Sequence, residues 1–168
     1  LEKHSDTVLW LHTGAAGLAG ANANLCDVAK QAGVDPNRLI FAPSVSPIAH
    51  LTRLQIGDLF LDNWPCNAHT TASDALWAGV PVLTCKGRSF ASRVAASLLH
   101  ALGLNELITS NLDDYEQQAL YLLANPSALK KCRKRLWRAR TKTDVFDGNA
   151  FARKLETVYH QIWQRYWP

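Results

Sequence analysis

Short apolar runs alternate along the chain with segments in which apolar residues recur at helical spacing. Each of the first four runs is followed by a helical segment. The runs predict five strands, at 7–12, 38–42, 59–62, 80–84 and 106–109. Strands that are almost wholly apolar and are separated by helices favour a parallel sheet covered by helices on both faces.

The helical segments begin and end at residues that commonly cap helices. Gly33 and Gly103 each follow a helical pattern, and Ser46-Pro47 is typical of a helix start. The segment 14–20 is rich in Gly and predicts a loop. Helices are predicted between the strands at 21–32, 47–55, 70–78 and 90–102, and beyond them at 113–124, 126–141 and 149–167.

The order of these elements predicts the fold class. We expect an α/β fold, with a Rossmann-like parallel sheet of about five strands, helices on both faces and a helical C-terminal extension. Residues 1–168 are predicted to form a single domain, with 111–168 as the extension packed on it. Such sheets bind ligands beyond the carboxyl ends of their strands. The loops at 43–47, 63–69 and 85–89 are therefore expected to gather on one rim.

Composition adds few constraints. The chain has 168 residues, of which 48% are apolar and 19% charged, as in ordinary globular domains. No apolar run approaches the ~20 residues of a membrane span. The chain has no Met, so we expect an excised segment of a longer protein whose site is partly missing. Its four Cys show neither zinc-site nor disulfide spacing, which favours free thiols in a reducing cytoplasm.

The net charge of +4 comes largely from the basic stretch Lys130–Arg140. Such a stretch can bind nucleic acid or an anionic membrane. However, four residues form an apolar stripe at helical spacing, which places the basic residues on the solvated faces: Leu129, Cys132, Leu136 and Trp137. The stretch also lacks aromatic residues placed to stack on bases. We therefore predict no nucleic-acid partner.

The segment that follows the third strand carries the clearest candidate chemistry. His69, Thr70 and Thr71 begin a predicted helix, where free backbone N–H groups and the helix dipole attract anions. Asp74 lies on the same face one turn deeper and can accept bonds from sugar hydroxyls. The arrangement predicts a nucleotide or nucleotide-sugar site. Alternatively, Thr serves only as an N-cap and Asp74 only as a dipole partner worth ~0.3–1 kcal/mol.

Two other groups of residues are candidates for the same site. His50 and Arg53 share a helix face, where an imidazole can stack on a base and a guanidinium can hydrogen-bond it. The alternatives are a half-buried histidine and a solvated charge. The loop 86–89 (Lys-Gly-Arg-Ser) precedes the helix predicted at 90–102 and can supply further phosphate donors at its start, or is simply a basic loop.

Other familiar sites are not indicated. The sequence has neither a Gly-x-Gly-x-x-Gly fingerprint nor a Walker A motif. No catalytic triad and no carboxylate pair suited to a glycosidase can be recognised. Neither helix-start cluster has the acidic residues expected around a divalent metal, so we predict a site without metal or other cofactor.

Three blocks of the sequence resemble the C-terminal part of the O-GlcNAc transferase family: Cys66–Thr71, Asp74–Val82 and Ala91–Ser97. The resemblance covers nearly the whole chain from Thr7 onward. Members of that family are glycosyltransferases with two Rossmann-like domains, usually preceded by tetratricopeptide (TPR) repeats. The resemblance therefore implies that this chain is the C-terminal half of a GT-B-type glycosyltransferase.

The resemblance also implies roles for single residues in binding uridine diphosphate. These are the diphosphate contacts His69, Thr70 and Thr71, the ribose contact Asp74, the uracil contacts His50 and Arg53, and the base-contacting backbone groups of Val45 and Ser46. Two positions depart from the family pattern. Pro47 replaces a ribose-contacting Lys of many members, and Ala68 replaces a usual Gly beside the diphosphate. The catalytic residues, including an essential Lys, are expected upstream of this chain.

The function that the resemblance implies is inverting transfer of N-acetylglucosamine from UDP-GlcNAc to Ser or Thr of proteins, without metal. The implied partners are the UDP-sugar donor, a protein acceptor, and the N-terminal catalytic half and TPR repeats of the same polypeptide. We expect no turnover from this chain alone. Two alternatives remain, namely a hexosyltransferase with another UDP-sugar or an Asn acceptor, and an inactive UDP-binding or scaffold module, which Pro47 motivates.

Overall fold

A computed structural model describes residues 1–13 and 19–167 as an α/β protein with parallel strands. The predicted α/β class is thus confirmed. Most of the predicted loop at 14–20 lies outside the described residues. The contacts divide the chain into two compact units, Leu1–Arg53 and Leu54–Pro168. The assignment of 1–168 to one domain stays a prediction.

The first unit contains two parallel strands. Its elements are β1 (Leu9–His12), α1 (Ala19–Gln31), β2 (Leu39–Ala42) and α2 (Pro47–Leu54). The strands pair with Leu9 opposite Leu39, and Leu39 is buried together with Ala29 and Val34. Gly33 follows α1 with φ +71°, so it ends the helix in the left-handed conformation that Gly adopts without strain.

The second unit holds three strands and the remaining helices. Its elements are β3 (Phe60–Leu61), α3 (Thr70–Trp77), β4 (Val82–Cys85), α4 (Val94–Ala101), β5 (Ile108–Thr109), α5 (Leu112–Ala124), α6 (Pro126–Lys142) and α7 (Gly148–Tyr166). The strand β4 lies between β3 and β5 and is parallel to both. Every residue of β4 is buried, which explains why the sequence of this strand lacks polar alternation.

One hydrophobic core holds the second unit together. It joins α3 to its neighbours through Leu76, Leu99 and Leu136, which are fully buried. Ala72 and Ala75 complete the buried face of α3. Because these small side chains bring α3 close to the core, the helix is fixed along its length while its first residues stay exposed.

The basic helix α6 confirms one prediction and refines another. Leu129, Cys132 and Leu136 of the predicted apolar stripe are buried. The prediction is wrong for Trp137, which is 49% exposed. The arginines of α6, however, do more than cover a solvated face. Arg133 donates to the carbonyl of Gly57 at 2.9 Å. Arg140 lies over the rings of Trp77 and Trp137, and it donates to the carbonyl of Trp77, the last residue of α3. These cations thus stabilise the ends of other segments.

The helix α4 begins at Val94, so the prediction of a helix start at residue 90 is wrong. The hydroxyls of Ser89 and Ser92 bond each other at 2.9 Å, and the N–H of Gly87 donates to the carbonyl of Ser92 at 2.8 Å. A Cβ on Gly87 would overlap the side chain of Ser92. These local bonds hold the segment in a turn and compete with helix formation.

The last helix, α7, is amphipathic rather than apolar throughout. The Asp147 side chain caps its start by accepting from the N–H of Ala150 at 3.0 Å. Lys154 pairs with Asp144 at 2.7 Å. Towards its end the helix exposes several aromatic rings, among them Trp163. No helix among the described residues has both the length and the apolar character that crossing a membrane requires.

Candidate nucleotide site

The start of α3 leaves hydrogen-bond donors open, as predicted. His69 occupies the cap position, and Thr70 and Thr71 are the first two helical residues. The first N–H of α3 that bonds within the helix is that of Ser73, which donates to the carbonyl of His69 at 3.1 Å. Both Thr side chains are exposed and make no hydrogen bond within residues 1–13 and 19–167. The alternative that either Thr is merely an N-cap is therefore wrong, and the start offers backbone and hydroxyl donors to an anion.

Asp74 lies one turn further along α3 and is half-buried. No ion pair or side-chain hydrogen bond engages its carboxylate in the described part of the chain. The residue is also outside the first turn, where the helix dipole acts most strongly. This placement favours an acceptor for a ligand over a simple dipole partner.

The buried carboxylate of Asp62, which the sequence did not single out, supports the turn that leads from β3 into α3. Asp62 follows β3 and accepts from the N–H groups of Asn63 at 2.9 Å and Ala68 at 2.6 Å. It also accepts from the hydroxyl of Thr84 at 2.6 Å. Burial raises the pKa of Asp62, while these bonds and the nearby His69 oppose that rise. An Asp directly after an apolar strand and before a turn was the available sequence signal.

Asn67 brings the loops that follow β3 and β4 together. Its side chain is buried, and its Nδ2 donates to the carbonyls of Asn63 at 2.9 Å and Cys85 at 3.4 Å. Its Oδ1 is buried and has no hydrogen-bond partner among residues 1–13 and 19–167. The predicted meeting of these two loops is confirmed. The third loop of the predicted rim, 43–47, belongs to the other unit, and its place there stays a prediction.

The basic loop 86–89 does not lie at a helix start. Residues 90–93 separate it from α4, which begins at Val94. The prediction that this loop supplies phosphate donors at a second helix N-terminus is therefore wrong. Lys86 and Arg88 are nevertheless exposed beside Phe90, whose ring meets the His69 ring edge-on with centroids 6.1 Å apart.

In the first unit, His50 and Arg53 share a face of α2, as predicted. Their Nδ1 and Nη2 atoms lie 3.2 Å apart. Arg53 also donates to the carbonyl of Pro43 at 2.6 Å, and its guanidinium lies 5.5 Å from the ring centre of Trp10. The alternative that Arg53 is a solvated charge is therefore wrong, because the residue ties α2 to the loop before it.

The remaining predicted base contacts surround the start of α2. Val45 and Ser46 are exposed, and the Ser46 hydroxyl faces the N–H of Ala49 at 3.4 Å, a long capping contact. Pro47 is the first residue of the helix, a position that suits its fixed φ. The ring of His50 meets that of His12 edge-on at 5.6 Å. A role for these residues towards a base stays a prediction.

Ala68 is accommodated without backbone strain. No residue other than Gly has a positive φ among those described. The methyl group of Ala68 packs against the main core of the second unit. The position therefore does not need the left-handed conformation that would favour Gly.

Metal-binding side chains and disulfides do not mark the site. Within 1–13 and 19–167, no three His, Cys, Asp or Glu side chains are grouped so that they could hold a metal ion. The four cysteines are free, and Cys85 and Cys132 are buried. Binding without metal stays a prediction.

Comparisons with known proteins point to one family. The sequence profile of Glycosyl transferase family 41 matches residues 1–155. A UDP-N-acetylglucosamine–peptide N-acetylglucosaminyltransferase of Caenorhabditis elegans is 38% identical over 134 residues, covering 80% of this chain and 12% of that protein. A probable enzyme of the same name from Arabidopsis thaliana is 37% identical over 132 residues, covering 78% of this chain and 14% of that protein.

A solved structure shows the same fold. An O-GlcNAc transferase mutant of Thermobaculum terrenum superimposes with a TM-score of 0.85 at 30% identity, covering 92% of this chain and 30% of its own. This chain thus spans about an eighth of the length of the curated relatives above and under a third of that solved chain. The match to the family profile extends over most of the sequence, and the chain belongs to glycosyl transferase family 41.

Proposed function

We propose that the chain is the nucleotide-sugar-binding part of an inverting glycosyltransferase that transfers N-acetylglucosamine from UDP-GlcNAc to Ser or Thr of proteins. One observation carries the proposal. The start of α3 presents exposed Thr70 and Thr71 hydroxyls and, one turn deeper, the carboxylate of Asp74, which has no partner in the part of the chain that the structure describes. Donors followed by an acceptor at this spacing suit a diphosphate joined to a ribose.

In this proposal each part of the nucleotide has its own residues. The diphosphate binds the first N–H groups of α3 together with His69, Thr70 and Thr71, and the ribose donates to Asp74. The uracil is bound by His50 and Arg53 and by the backbone of Val45 and Ser46. The donors at the helix start stabilise the negative charge that develops on the leaving diphosphate as the sugar is transferred.

The remaining parts of the enzyme are also proposals. The relatives carry names of peptide N-acetylglucosaminyltransferases, but the matched part is 12% and 14% of their lengths. We propose that an N-terminal catalytic half, TPR repeats and the acceptor-binding domain precede this segment in the parent polypeptide. The four free thiols support a reducing, cytoplasmic setting. The reaction is proposed to need no metal.

Calorimetric titration with a series of nucleotides tests the proposal. UDP should bind more tightly than UMP, because UMP lacks the second phosphate, and more tightly than ADP, because the base differs. Thr71→Ala should weaken UDP more than UMP, and Thr71→Ser, which keeps the hydroxyl, should restore the difference. Equal affinities for UDP and UMP, or no binding of UDP at millimolar concentration, would contradict the proposal for this chain.

Pro47 favours a second candidate, a UDP-binding module without catalysis. The residue begins α2 and carries no ammonium group for the ribose. This candidate predicts UDP binding by the present chain and no transfer to peptide by the full-length parent protein. Transfer by the parent would exclude it, and competition among UDP-sugars would identify the donor.

A further inference from the structure

We propose that Asp62 and Thr84 form a buried latch that positions the start of α3 for the diphosphate. Both are positioning residues, and neither touches the ligand. The inference rests on the proposed function, since it concerns how the same site is held. This positioning role explains why a carboxylate is buried at the end of β3, although burying an apolar side chain or an amide there would cost less free energy.

Burial and internal hydrogen bonds together keep Asp62 away from a ligand. Its Oδ1 accepts from the N–H groups of Asn63 and Ala68, and its Oδ2 accepts from the Thr84 hydroxyl. Asp62 is 5% exposed and Thr84 is completely buried. Both carboxylate oxygens are thus occupied from inside the protein, so this group acts through the residues it holds.

The bond to Ala68 connects the latch to the site. Ala68 immediately precedes His69, the cap residue of α3, and its N–H lies 2.6 Å from Oδ1 of Asp62. Holding this N–H orients the peptide that enters the helix. The donors of Thr70 and Thr71 follow directly along the chain. A binding site loses affinity when its donors move by more than about 0.5 Å, so the start of α3 depends on a fixed entry.

The latch is itself tied to neighbouring elements. Thr84 lies on β4, and the phenol of Tyr115 on α5 donates to the backbone carbonyl of Asp62 at 2.9 Å. The hydroxyl of Thr109 on β5 bonds the backbone carbonyl of Thr84 at 3.1 Å and not Asp62, so Thr109 is not part of the latch. The entry to α3 is therefore anchored to the most buried strand of the unit rather than to the turn alone.

Two buried threonines on adjacent strands, Thr84 and Thr109, provide a matched pair of variants that tests the latch. Thr84→Val removes the hydroxyl that holds Asp62, whereas Thr109→Val removes a similarly buried hydroxyl that bonds only a backbone carbonyl. The affinities for UDP and for uridine are measured for each. We expect Thr84→Val to weaken UDP by about five- to tenfold with uridine almost unchanged, since only UDP reaches the helix start.

Three further measurements separate positioning from general support. Thr109→Val should match the loss of melting temperature of Thr84→Val while keeping the wild-type affinity for UDP. Thr84→Ser should restore affinity because it keeps the hydroxyl. Hydrogen exchange of the Ala68 amide should accelerate in Thr84→Val and not in Thr109→Val. If Thr84→Val does not fold, Tyr115→Phe, which removes another anchor of Asp62, replaces it in the same comparison.

The outcomes distinguish the inference from the function on which it rests. Equal loss of UDP affinity in Thr84→Val and Thr109→Val overturns the latch, as does an equal loss for UDP and uridine in Thr84→Val. Unchanged affinity and unchanged exchange of the Ala68 amide in Thr84→Val also overturn it. A wild-type chain that binds no UDP overturns the proposed function, and the inference then fails with it.

Discussion

The start of α3 and the exposed side of α2 carry the residues proposed to bind a nucleotide, but these two sets of side chains differ in whether they are already hydrogen-bonded within the protein. On α3, Thr70, Thr71 and Asp74 have no side-chain partner in the described protein. On α2, Arg53 is bonded to its own loop and to His50. These three residues of α3 can therefore be changed with little effect on folding, whereas Arg53 serves the fold whether or not a ligand is bound.

The two regions also differ in how they are supported. The entry to α3 is held by the buried carboxylate of Asp62, which lies beneath the exposed donors. The loop before α2 is held by Arg53 itself through the carbonyl of Pro43. One region separates the binding side chains from the supporting ones, and the other combines both tasks in one residue. The following changes test that difference.

Asp74→Ala should have the largest effect. Loss of a charged acceptor for the ribose costs about 1.5–3 kcal/mol, which weakens UDP about 10- to 100-fold. The free energy of unfolding should change by less than about 0.5 kcal/mol, because the carboxylate has no protein partner among the described residues. Calorimetry and urea denaturation measure the two quantities. Asp113→Ala, at an exposed acid of α5, is the control, and equal effects of the two variants would contradict the assignment.

Arg53→Ala should instead destabilise the protein. The change removes the donor to the carbonyl of Pro43 and the contact with Trp10, and we expect a loss of about 1–2 kcal/mol in the free energy of unfolding. Urea denaturation measures the loss. Arg53→Lys, which keeps the charge without the planar fork, should restore only part of the stability. Unchanged stability in Arg53→Ala would remove the contrast between α2 and α3.

Thr70→Ala should have a smaller effect, confined to binding. A neutral hydroxyl that bonds a phosphate contributes about 0.5–1.5 kcal/mol, or about two- to tenfold in the affinity for UDP. Thr70→Ser should bind as the wild type does. The melting temperature should stay nearly constant in both variants, because the side chain is exposed. A marked fall in melting temperature without a change in affinity would assign Thr70 to the fold instead.

The pH dependence of stability should show the smallest effect. Burial raises the pKa of Asp62 above its ordinary value of 3.8. Between that value and the raised pKa, the folded chain holds the proton more tightly than the unfolded chain, so the contribution of Asp62 to stability falls as pH rises. Asp62→Asn lacks this contribution. From about pH 4 to pH 7, the free energy of unfolding of Asp62→Asn should therefore rise relative to that of the wild type. A constant difference would contradict the raised pKa.

The start of α3 could be predicted because its signals are local. A turn, a helix start and the spacing from Thr70 to Asp74 all lie within one short segment, and the structure begins the helix at Thr70. Most of the apolar stripe of α6 was predictable from its period, since Leu129, Cys132 and Leu136 are buried and only Trp137 of the predicted four is exposed. Such patterns need no knowledge of what the helix packs against.

What the sequence did not reveal depends on contacts between distant residues. The helix predicted from residue 90 begins at Val94, because hydroxyl bonds between Ser89 and Ser92 compete with the helix. The role of Asp62 depends on Thr84, which lies on another strand. Arg140 was expected on a solvated face, but it reaches a carbonyl of α3. Helical period specifies the face of a residue but not the group at the end of its side chain.

Amide chemical shifts recorded while UDP is added test most directly whether the start of α3 holds the diphosphate. We predict that the largest shifts occur at the backbone amides of Thr70, Thr71 and Ala72, whose N–H groups have no partner within the helix. Uridine should leave these amides nearly unchanged. Binding of UDP with its largest shifts elsewhere in the chain, and none at these three amides, would contradict the account.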